Sequence, residues 1–197
     1  MQVLIATNNK GKKKDFEALL APLRIDVLTL ADMDEPFDVE ETGTTFEANA
    51  RLKAEATANH YGTIVIADDS GLVIDALNGE PGVYSARYAG EAKDDEANID
   101  LVLERLQGVP EEERTARFVA TLAVAYPNEP ERTTFYVGTC EGRILEERRG
   151  TNGFGYDPIF FVPSLDRSMA ELTLEEKGAI SHRGAAIRQL AEAWNAR

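Results

Sequence analysis

The chain has 197 residues, of which 43% are hydrophobic and 28% are charged, and its formal net charge is −14 at pH 7. This size and composition predict a globular protein with one large domain or two lobes. The acidic balance argues against broad binding of nucleic acid or of an anionic membrane surface, because both require clustered Lys and Arg. One small phosphorylated ligand remains compatible with it, since charge can be concentrated locally.

Cys140 is the only cysteine, which excludes an internal disulfide framework and fits a reducing compartment. The apolar run at residues 3–6 is too short for the apolar region of a signal peptide. The longest apolar run, residues 118–126, is too short to span a bilayer. We therefore expect a cytoplasmic protein.

The first half of the chain predicts a β-α-β start followed by a second helix. Strand-like stretches lie at residues 3–6, 25–30, 63–67 and 72–76. Residues 12–23 have apolar positions at a helical spacing. The motif Thr44-Thr45-Phe46-Glu47 has the form of a capping box and predicts that the alanine-rich stretch at 48–58 is a helix.

The second half alternates strands and helices. Strands are predicted at 116–126, 133–140 and 158–162, and helices at 96–106 and 185–194. The first two of these strands are separated by Pro127-Asn128-Glu129-Pro130, which favours an antiparallel pair. A second capping-box pattern is Thr173-Leu174-Glu175-Glu176. The interleaving predicts an α/β class with a mixed sheet flanked by helices, as a single domain of two lobes over 1–197.

Two neighbouring segments near the N-terminus carry opposite charge. Residues 1–24 are rich in lysine, and residues 25–42 contain seven acids and no base. The turn Thr7-Asn8-Asn9-Lys10-Gly11-Lys12 joins the first predicted strand to the first predicted helix, a place where backbone N–H groups and the helix dipole suit a phosphate. It lacks the Walker A spacing, so a polar strand-to-helix turn remains the alternative.

Acidic pairs occur at two further points. Asp68-Asp69-Ser70-Gly71 follows a buried-looking strand, and carboxylate oxygens are ligands that Mg²⁺ prefers; a tight turn capped by Asp and Ser is the alternative. Glu40-Glu41 precedes the second helix, where Asn49 and Lys53 are four residues apart and share one face. Acids at that place also favour the helix dipole without any ligand.

Two later stretches suit a flat, polar ligand. In Thr151-Asn152-Gly153-Phe154-Gly155-Tyr156-Asp157-Pro158, glycines flank an aromatic ring that is able to stack on a nucleobase or to fill the core. In Lys177-Gly178-Ala179-Ile180-Ser181-His182-Arg183-Gly184, Ser181 is a suitable N-cap, and His182 and Arg183 follow it as hydrogen-bond donors. A surface His-Arg pair without a ligand is the alternative.

Taken together, these stretches resemble the inosine/xanthosine triphosphate pyrophosphatase family. The matching pieces, in family order and over nearly the whole chain, are "ATNNKGK", "EETGTTFEANARLKA", "ADDSGLVIDALNGEPGVYSARYAG", "TNGFGYDPIFF", "AELTLEEK" and "ISHRG". One departure is Asn8, where many members have Gly. The resemblance implies an elongated α/β fold with a cleft between two lobes, a homodimer, and Mg²⁺-dependent hydrolysis of ITP, dITP and XTP to the monophosphate and pyrophosphate.

The resemblance also implies the roles of individual residues. The triphosphate would be held by Thr7, Asn8, Asn9, Lys10, Gly11, Lys12 and Lys53. The metal would be bound by Glu40 and Asp69, with Glu41 as the alternative to Glu40. Asp69 would be the general base for a metal-activated water that attacks the α-phosphorus. Substrate contacts would come from Ser70, Phe154, Gly155, Tyr156, Asp157, Lys177, His182 and Arg183, while Asp68 is either a helper or a structural neighbour.

The chemistry of the bases gives a reason for selectivity. Hypoxanthine and xanthine present a 6-keto acceptor where adenine presents a 6-amino donor. A pocket that offers donors from His182, Arg183 or the backbone would accept the keto bases and leave an unpaired donor against adenine. Guanine also has a 6-keto group, so its 2-amino group must be rejected in another way.

Overall fold

A computed structural model describes residues 1–195 and gives a mixed α/β fold. The strands are Gln2–Ile5 (β1), Asp26–Thr29 (β2), Val65–Ile74 (β3), Thr115–Ala125 (β4), Thr134–Ile144 (β5), Phe160–Val162 (β6) and Arg167–Ser168 (β7). The α-helices are Lys10–Leu20 (α1), Phe46–Tyr61 (α2), Asp95–Arg105 (α3), Leu174–Ile180 (α4) and His182–Asn195 (α5). Within the described chain the strands form one sheet in the order β2-β1-β3-β4-β5-β6-β7. The predicted fold class, a mixed sheet flanked by helices, is confirmed.

The chain divides into two compact units. The first contains Met1–Asp69, Ala120–Gly138 and the chain from His182 onward, and the second contains Ser70–Val119 and Thr139–Ser181. Strands β3, β4 and β5 each contribute residues to both units. Among the described residues, none of the helices combines the length and the apolar character that crossing a membrane requires.

In the first unit, β1 is parallel to both of its neighbours, β2 and β3. Its buried side chains Val3 and Ile5 pack with Phe16 and Leu20 of α1, which explains why α1 is apolar on one side only. Ile5 is aligned with Ile66. The turn that follows β1 therefore lies beside the part of β3 that carries the paired aspartates, at the carboxyl end of a parallel pair.

The second unit has its own core. Leu72 and Ile74 of β3 pack with Ile99 and Val102 of α3 and with Phe160 of β6. Strand β6 is antiparallel to β5 and to β7. This core supports the glycine-rich stretch before β6, because that stretch leads directly into buried residues.

The prediction of two strands around Asp68 and Asp69 was wrong, since β3 is continuous from Val65 to Ile74. A turn is unnecessary because each carboxylate has a charged partner inside the fold, as described below. The predicted helix start at Thr44 was also one residue early: Thr45 is the N-cap of α2, and its side chain accepts a hydrogen bond from the Ala48 N–H. The second predicted capping box is confirmed at Thr173 and Glu176.

Candidate active site

The turn between β1 and α1 is organised by Asn9. Its side-chain oxygen accepts hydrogen bonds from the backbone N–H groups of Gly11 at 2.9 Å and Lys12 at 3.0 Å. Its own N–H donates to the Thr7 hydroxyl at 3.1 Å. The result is a capped first turn of α1, with Asn8 and Lys10 exposed beside it. A positive helix end with adjacent lysines favours an anion at this place.

Lys12 turns from α1 towards β3. Its ammonium donates to the Asp68 carbonyl oxygen at 3.3 Å and lies 3.7 Å from the Asp68 carboxylate. Burial lowers the pKa of Lys12, and the Asp68 carboxylate only partly offsets that effect. Lys12 is therefore a desolvated cation next to the capped turn, where a phosphate would interact with it strongly.

Asp68 is held by the helix at the other end of the sequence. The Arg183 Nε lies 2.5 Å from the Asp68 Oδ2, and the Arg183 Nη1 lies 2.7 Å from the Asp15 Oδ2. Burial alone would raise the pKa of Asp68, but the charges of Arg183 and Lys12 outweigh it and hold that pKa well below its usual range. Asp68 is thus an ionised, buried partner of two cations.

Asp69 lies in a different environment from its neighbour. Lys53 of α2 is 3.5 Å from the Asp69 Oδ1, 2.9 Å from the Glu41 Oε1 and 2.8 Å from the Asp68 carbonyl oxygen. Burial raises the pKa of Asp69 to about 6, with Glu41 and Asp68 adding to the rise and Lys53 and Lys12 opposing it. The pKa of Lys53 is itself raised, because Asp69 and Glu41 outweigh the effect of burial. A carboxylate that titrates near neutrality is suited to taking up a proton.

The donors around Asp69 fit a hard divalent cation. The Asp69 Oδ2 is buried and has no hydrogen-bond partner within residues 1–195. Glu41 and Asp69 both lie next to the Lys53 ammonium, and Glu40, which precedes Glu41, is exposed. Over that same range, no group of three or more His, Cys, Asp or Glu side chains is arranged to hold a metal by itself. Mg²⁺ commonly binds through one or two carboxylates and completes its coordination with water and substrate phosphates, so this donor set fits it.

A second cluster lies in the second unit, around the glycine-rich stretch. Asp157 is buried, and its Oδ2 accepts hydrogen bonds from the Lys177 ammonium at 2.8 Å and from the Phe154 N–H at 3.1 Å. The Lys177 ammonium lies 4.6 Å from the centroid of the Phe154 ring, which is half-buried. Gly153 has φ of +74°, and a Cβ there would collide with the Asp157 carboxylate. These contacts fix an aromatic ring next to a buried ion pair.

The other predicted substrate contacts are also placed by the fold. Gly155 donates its N–H to Asp95 at 3.0 Å, and the Tyr156 hydroxyl donates to the Ser85 carbonyl at 2.6 Å. Ser70 follows Asp69 in β3 and is partly exposed. His182 is the buried first residue of α5. Burial raises the pKa of Tyr156 above its ordinary value, and its hydroxyl acts here as a structural donor.

The predicted site residues thus form two groups. The first unit brings together residues 7–12, Lys53 and Asp69 with Asp68 and Arg183, and the second unit brings together residues 154–157 and Lys177. The predictions missed Asp15, which pairs with Arg183. They placed Asn49 on the same helix face as Lys53 but gave it no role, and its side chain holds Gly43. In the sequence, the only indication that Asp15 is buried and paired is its position next to the apolar residues of the first predicted helix.

Comparison with known proteins identifies the family. The model of the Ham1 family matches residues 3–193. The chain belongs to the Ham1 family. A protein of Bacillus cereus named dITP/XTP pyrophosphatase is 56% identical over 191 residues, which cover 97% of this chain and 93% of the relative. A protein of the same name from Listeria monocytogenes is 57% identical over 96% of this chain and 92% of its own.

Solved structures agree with this assignment. The Ham1 protein of Staphylococcus aureus is 48% identical and superimposes with a TM-score of 0.86 over 100% of this chain and 99% of its own. A HAM1 protein of Coxiella burnetii is 42% identical, with a TM-score of 0.88 and full coverage of both chains. The family predicted from the sequence motifs is confirmed.

Proposed function

We propose that this Ham1 family member is a nucleoside triphosphate pyrophosphatase that hydrolyses dITP, ITP and XTP to the monophosphate and pyrophosphate. The names of its relatives support this substrate class. The observation that carries the proposal is the contrast between the two neighbouring aspartates. Asp68 is neutralised by Arg183 and Lys12, which hold its pKa well below the usual range, whereas Asp69 has Lys53 at 3.5 Å and a pKa raised to about 6.

The triphosphate binds at the capped turn in this proposal. Asn9 keeps the turn in shape by accepting hydrogen bonds from the Gly11 and Lys12 N–H groups. The phosphates would lie at the positive end of α1 against the exposed Asn8 and Lys10 and the Lys12 ammonium. Lys12 and Lys53, both anchored on the Asp68 carbonyl oxygen, stabilise the negative charge that develops on the departing pyrophosphate. Fixing both ammonium groups on one backbone atom means that little reorganisation is needed during the reaction.

Enzymes of this family generally depend on a metal ion, and we propose Mg²⁺. Asp69 and Glu40 would hold it, since Glu41 is already paired with Lys53. When bound, Mg²⁺ would neutralise phosphate oxygens and lower the pKa of a water molecule. Asp69 would accept a proton from the attacking water as the water oxygen bonds to the α-phosphorus, while the bond from the α-phosphorus to the bridging oxygen breaks and pyrophosphate leaves.

The base is proposed to stack on Phe154. Asp157 and Lys177 hold that ring in place and, with Gly155, Tyr156 and Ser70, form the proposed sugar and base contacts. His182 and Arg183 are the donors proposed for the 6-keto group. Arg183 is largely committed to Asp15 and Asp68, so His182 or backbone N–H groups would carry more of this recognition than the motif alone suggests.

The remaining features of the proposal follow the family resemblance. The chain acts as a single domain of two lobes, as a homodimer in the cytoplasm. Size-exclusion chromatography with light scattering tests the dimer, because a protomer of 21.7 kDa is readily distinguished from a pair.

One incubation tests the proposed activity. The purified protein is mixed with Mg²⁺ and, separately, with dITP, XTP, dATP, dGTP and dTTP, and the released phosphate species are identified. Pyrophosphate and the monophosphate from dITP and XTP, with little from the other three, are the expected result. Stepwise release of orthophosphate, or binding without turnover, would contradict the proposal and would favour another phosphohydrolase or a nucleotide-binding module.

A further inference from the structure

The acidic segment before α2 lies along that helix. We refer to residues 35–43 as the acidic strap. Its contacts with α2 are Glu35 with Tyr61 (2.6 Å), Phe37 stacked on His60 (4.1 Å), Glu41 with Lys53 (2.9 Å) and Gly43 with Asn49 (2.7 Å). Residue numbers increase along the strap while those of the contacted residues in α2 decrease, so the strap runs antiparallel to the helix. Contacts at both ends hold it against α2.

Asn49 contacts the strap at its C-terminal end, next to Glu40 and Glu41. Its side chain is fully buried, and its Oδ1 accepts the hydrogen bond from the Gly43 N–H. Asn49 lies one helical turn before Lys53 on the same face of α2. The strap is therefore held at residues 43 and 41 by two side chains one turn apart, with Glu40 next to them.

The fit between Gly43 and Asn49 is close. A Cβ on residue 43 would lie 2.6 Å from the Asn49 Oδ1 and 2.8 Å from the Ala48 Cβ. A larger residue would have to move the strap away from α2. The contact thus fixes the distance between the strap and the helix as well as the hydrogen bond.

Packing alone does not explain an amide at this position. The Asn49 Nδ2 is buried and has no hydrogen-bond partner in the part of the chain that the structure describes, which is unfavourable for stability. A leucine, which has the same branching, would remove that unsatisfied donor but would also remove the acceptor for Gly43. The contact that explains an amide at residue 49 is therefore the hydrogen bond that its oxygen accepts from the Gly43 N–H of the strap.

We propose that Asn49 is a positioning residue that holds the acidic strap, so that Glu41 stays on Lys53 and Glu40 is presented to the metal. The metal step rests on the proposed function. The Glu41–Lys53 pair is partly exposed and is exchangeable with ions and water, whereas the contact with Gly43 comes from the fully buried Asn49 side chain. The contact made by Asn49 is the one that sets the position of the strap.

Two variants and a control test this in the full-length protein. Asn49→Leu removes the acceptor and keeps the number and branching of the side-chain heavy atoms, whereas Asn49→Asp keeps an acceptor for the Gly43 N–H. Ala58→Gly is the matched control: it weakens the same helix, at a buried position away from residues 40–43. Comparable unfolding midpoints for the Leu variant and the control remove general destabilisation as an explanation.

The first measurement needs neither metal nor nucleotide. Hydrogen–deuterium exchange is followed for peptides that contain residues 38–45. Asn49→Leu is expected to speed exchange there by about tenfold, because opening the strap costs less free energy once the hydrogen bond between Gly43 and residue 49 is lost. Asn49→Asp and Ala58→Gly are expected to exchange like the wild type in this peptide.

The second measurement is the Mg²⁺ concentration that gives half-maximal release of pyrophosphate from dITP. Asn49→Leu is expected to raise it by about threefold to tenfold, as expected for the loss of one hydrogen bond, and Asn49→Asp is expected to restore it. Unchanged exchange and unchanged metal dependence in Asn49→Leu would overturn the proposal. If the wild type releases no pyrophosphate, the proposed function fails, and the exchange measurement still decides the role of Asn49.

Gly43→Ala provides an independent route if Asn49→Leu does not fold. Its added methyl group displaces the strap from the other side of the same contact. Faster exchange over residues 38–45, with a raised Mg²⁺ requirement, is expected here as well. Wild-type values for both would count against the proposal.

Discussion

Arg183 and Asp68 form a buried ion pair in which the Arg183 Nε lies 2.5 Å from the Asp68 Oδ2. The same guanidinium reaches Asp15 at 2.7 Å, so one cation compensates two buried carboxylates. This arrangement gives the two adjacent aspartates different roles, because Arg183 neutralises Asp68, whereas Asp69 lies next to Lys53. The two adjacent carboxylates, whose burial would be unfavourable without cations, therefore lie in different surroundings and have different partners.

Arg183→Met is expected to lower the free energy of unfolding by about 3–5 kcal/mol, because it leaves two carboxylates buried without their cation. Urea unfolding at pH 7.5 measures this. The control is Arg149→Met, which removes the partly exposed pair with Glu171 and is expected to cost about 0–1 kcal/mol. Equal losses in the two variants would show that the Arg183 cluster is not a structural element.

The sequence predicted the alternation of strands and helices and the position of the candidate phosphate-binding turn between β1 and α1. Residues 7–12 are next to the carboxyl end of β1 as expected, because hydrophobic periodicity and local capping determine such turns. The partner of Asp68 was not predictable in this way. It lies 115 positions away along the chain, and nothing local shows which cation the fold brings to a buried carboxylate.

The position of the α2 N-cap has a similar explanation. Thr44 and Thr45 have the same side chain and thus the same intrinsic preference for an N-cap. The choice of Thr45 depends on the anchoring of Gly43 on Asn49, which sets where the preceding chain joins the helix. Tertiary contacts of this kind determine where a helix begins when two neighbouring residues have the same preference for the N-cap.

Asp69→Asn is expected to fold and to lose turnover by about 10²–10⁴-fold, the usual contribution of a general base. The variant keeps the shape of the side chain but is unable to take up the proton of the attacking water. Steady-state release of pyrophosphate from dITP at saturating Mg²⁺ measures the loss, with circular dichroism as the check on folding. Turnover close to the wild-type rate would remove Asp69 from the role of base.

The stability of the metal-free protein should depend on the ionisation of Asp69. Its pKa is raised from 3.8 to about 6 in the folded state, so the unfolded chain loses this proton at lower pH. Stability is therefore lost as pH rises from about 4 to 6, by about 2–3 kcal/mol in total. Asp69→Asn does not titrate and should become more stable than the wild type above pH 6.

Chemical unfolding of both proteins in the presence of a chelator, at pH 4.5 and pH 7.5, tests this dependence. The difference in unfolding free energy between variant and wild type should shift towards the variant at the higher pH. The comparison of two pH values cancels the constant effect of replacing an oxygen by an amide nitrogen. A difference that is the same at both pH values would exclude a raised pKa at Asp69.

Glu40 and Glu41 should respond differently to loss of charge. Glu41→Gln removes the 2.9 Å pair with Lys53 and is expected mainly to raise the KM for dITP, since Lys53 is less well placed for the phosphates. Glu40→Gln is expected mainly to raise the half-saturating Mg²⁺ concentration, with KM at saturating metal nearly unchanged. The reverse pattern would make Glu41 the metal ligand.

Phe154→Ala is expected to raise the KM for dITP by about tenfold, because base–aromatic stacking contributes about 1–3 kcal/mol, while kcat changes little. Phe154→Trp is the conservative partner and should keep KM near the wild-type value, since an indole also stacks on a base and accepts the nearby Lys177 ammonium over its face. An unchanged KM in Phe154→Ala, together with a lower unfolding midpoint, would assign the ring to the core of the second unit. The two readouts separate the alternatives because stacking on a ligand affects binding, whereas packing in a core affects stability first.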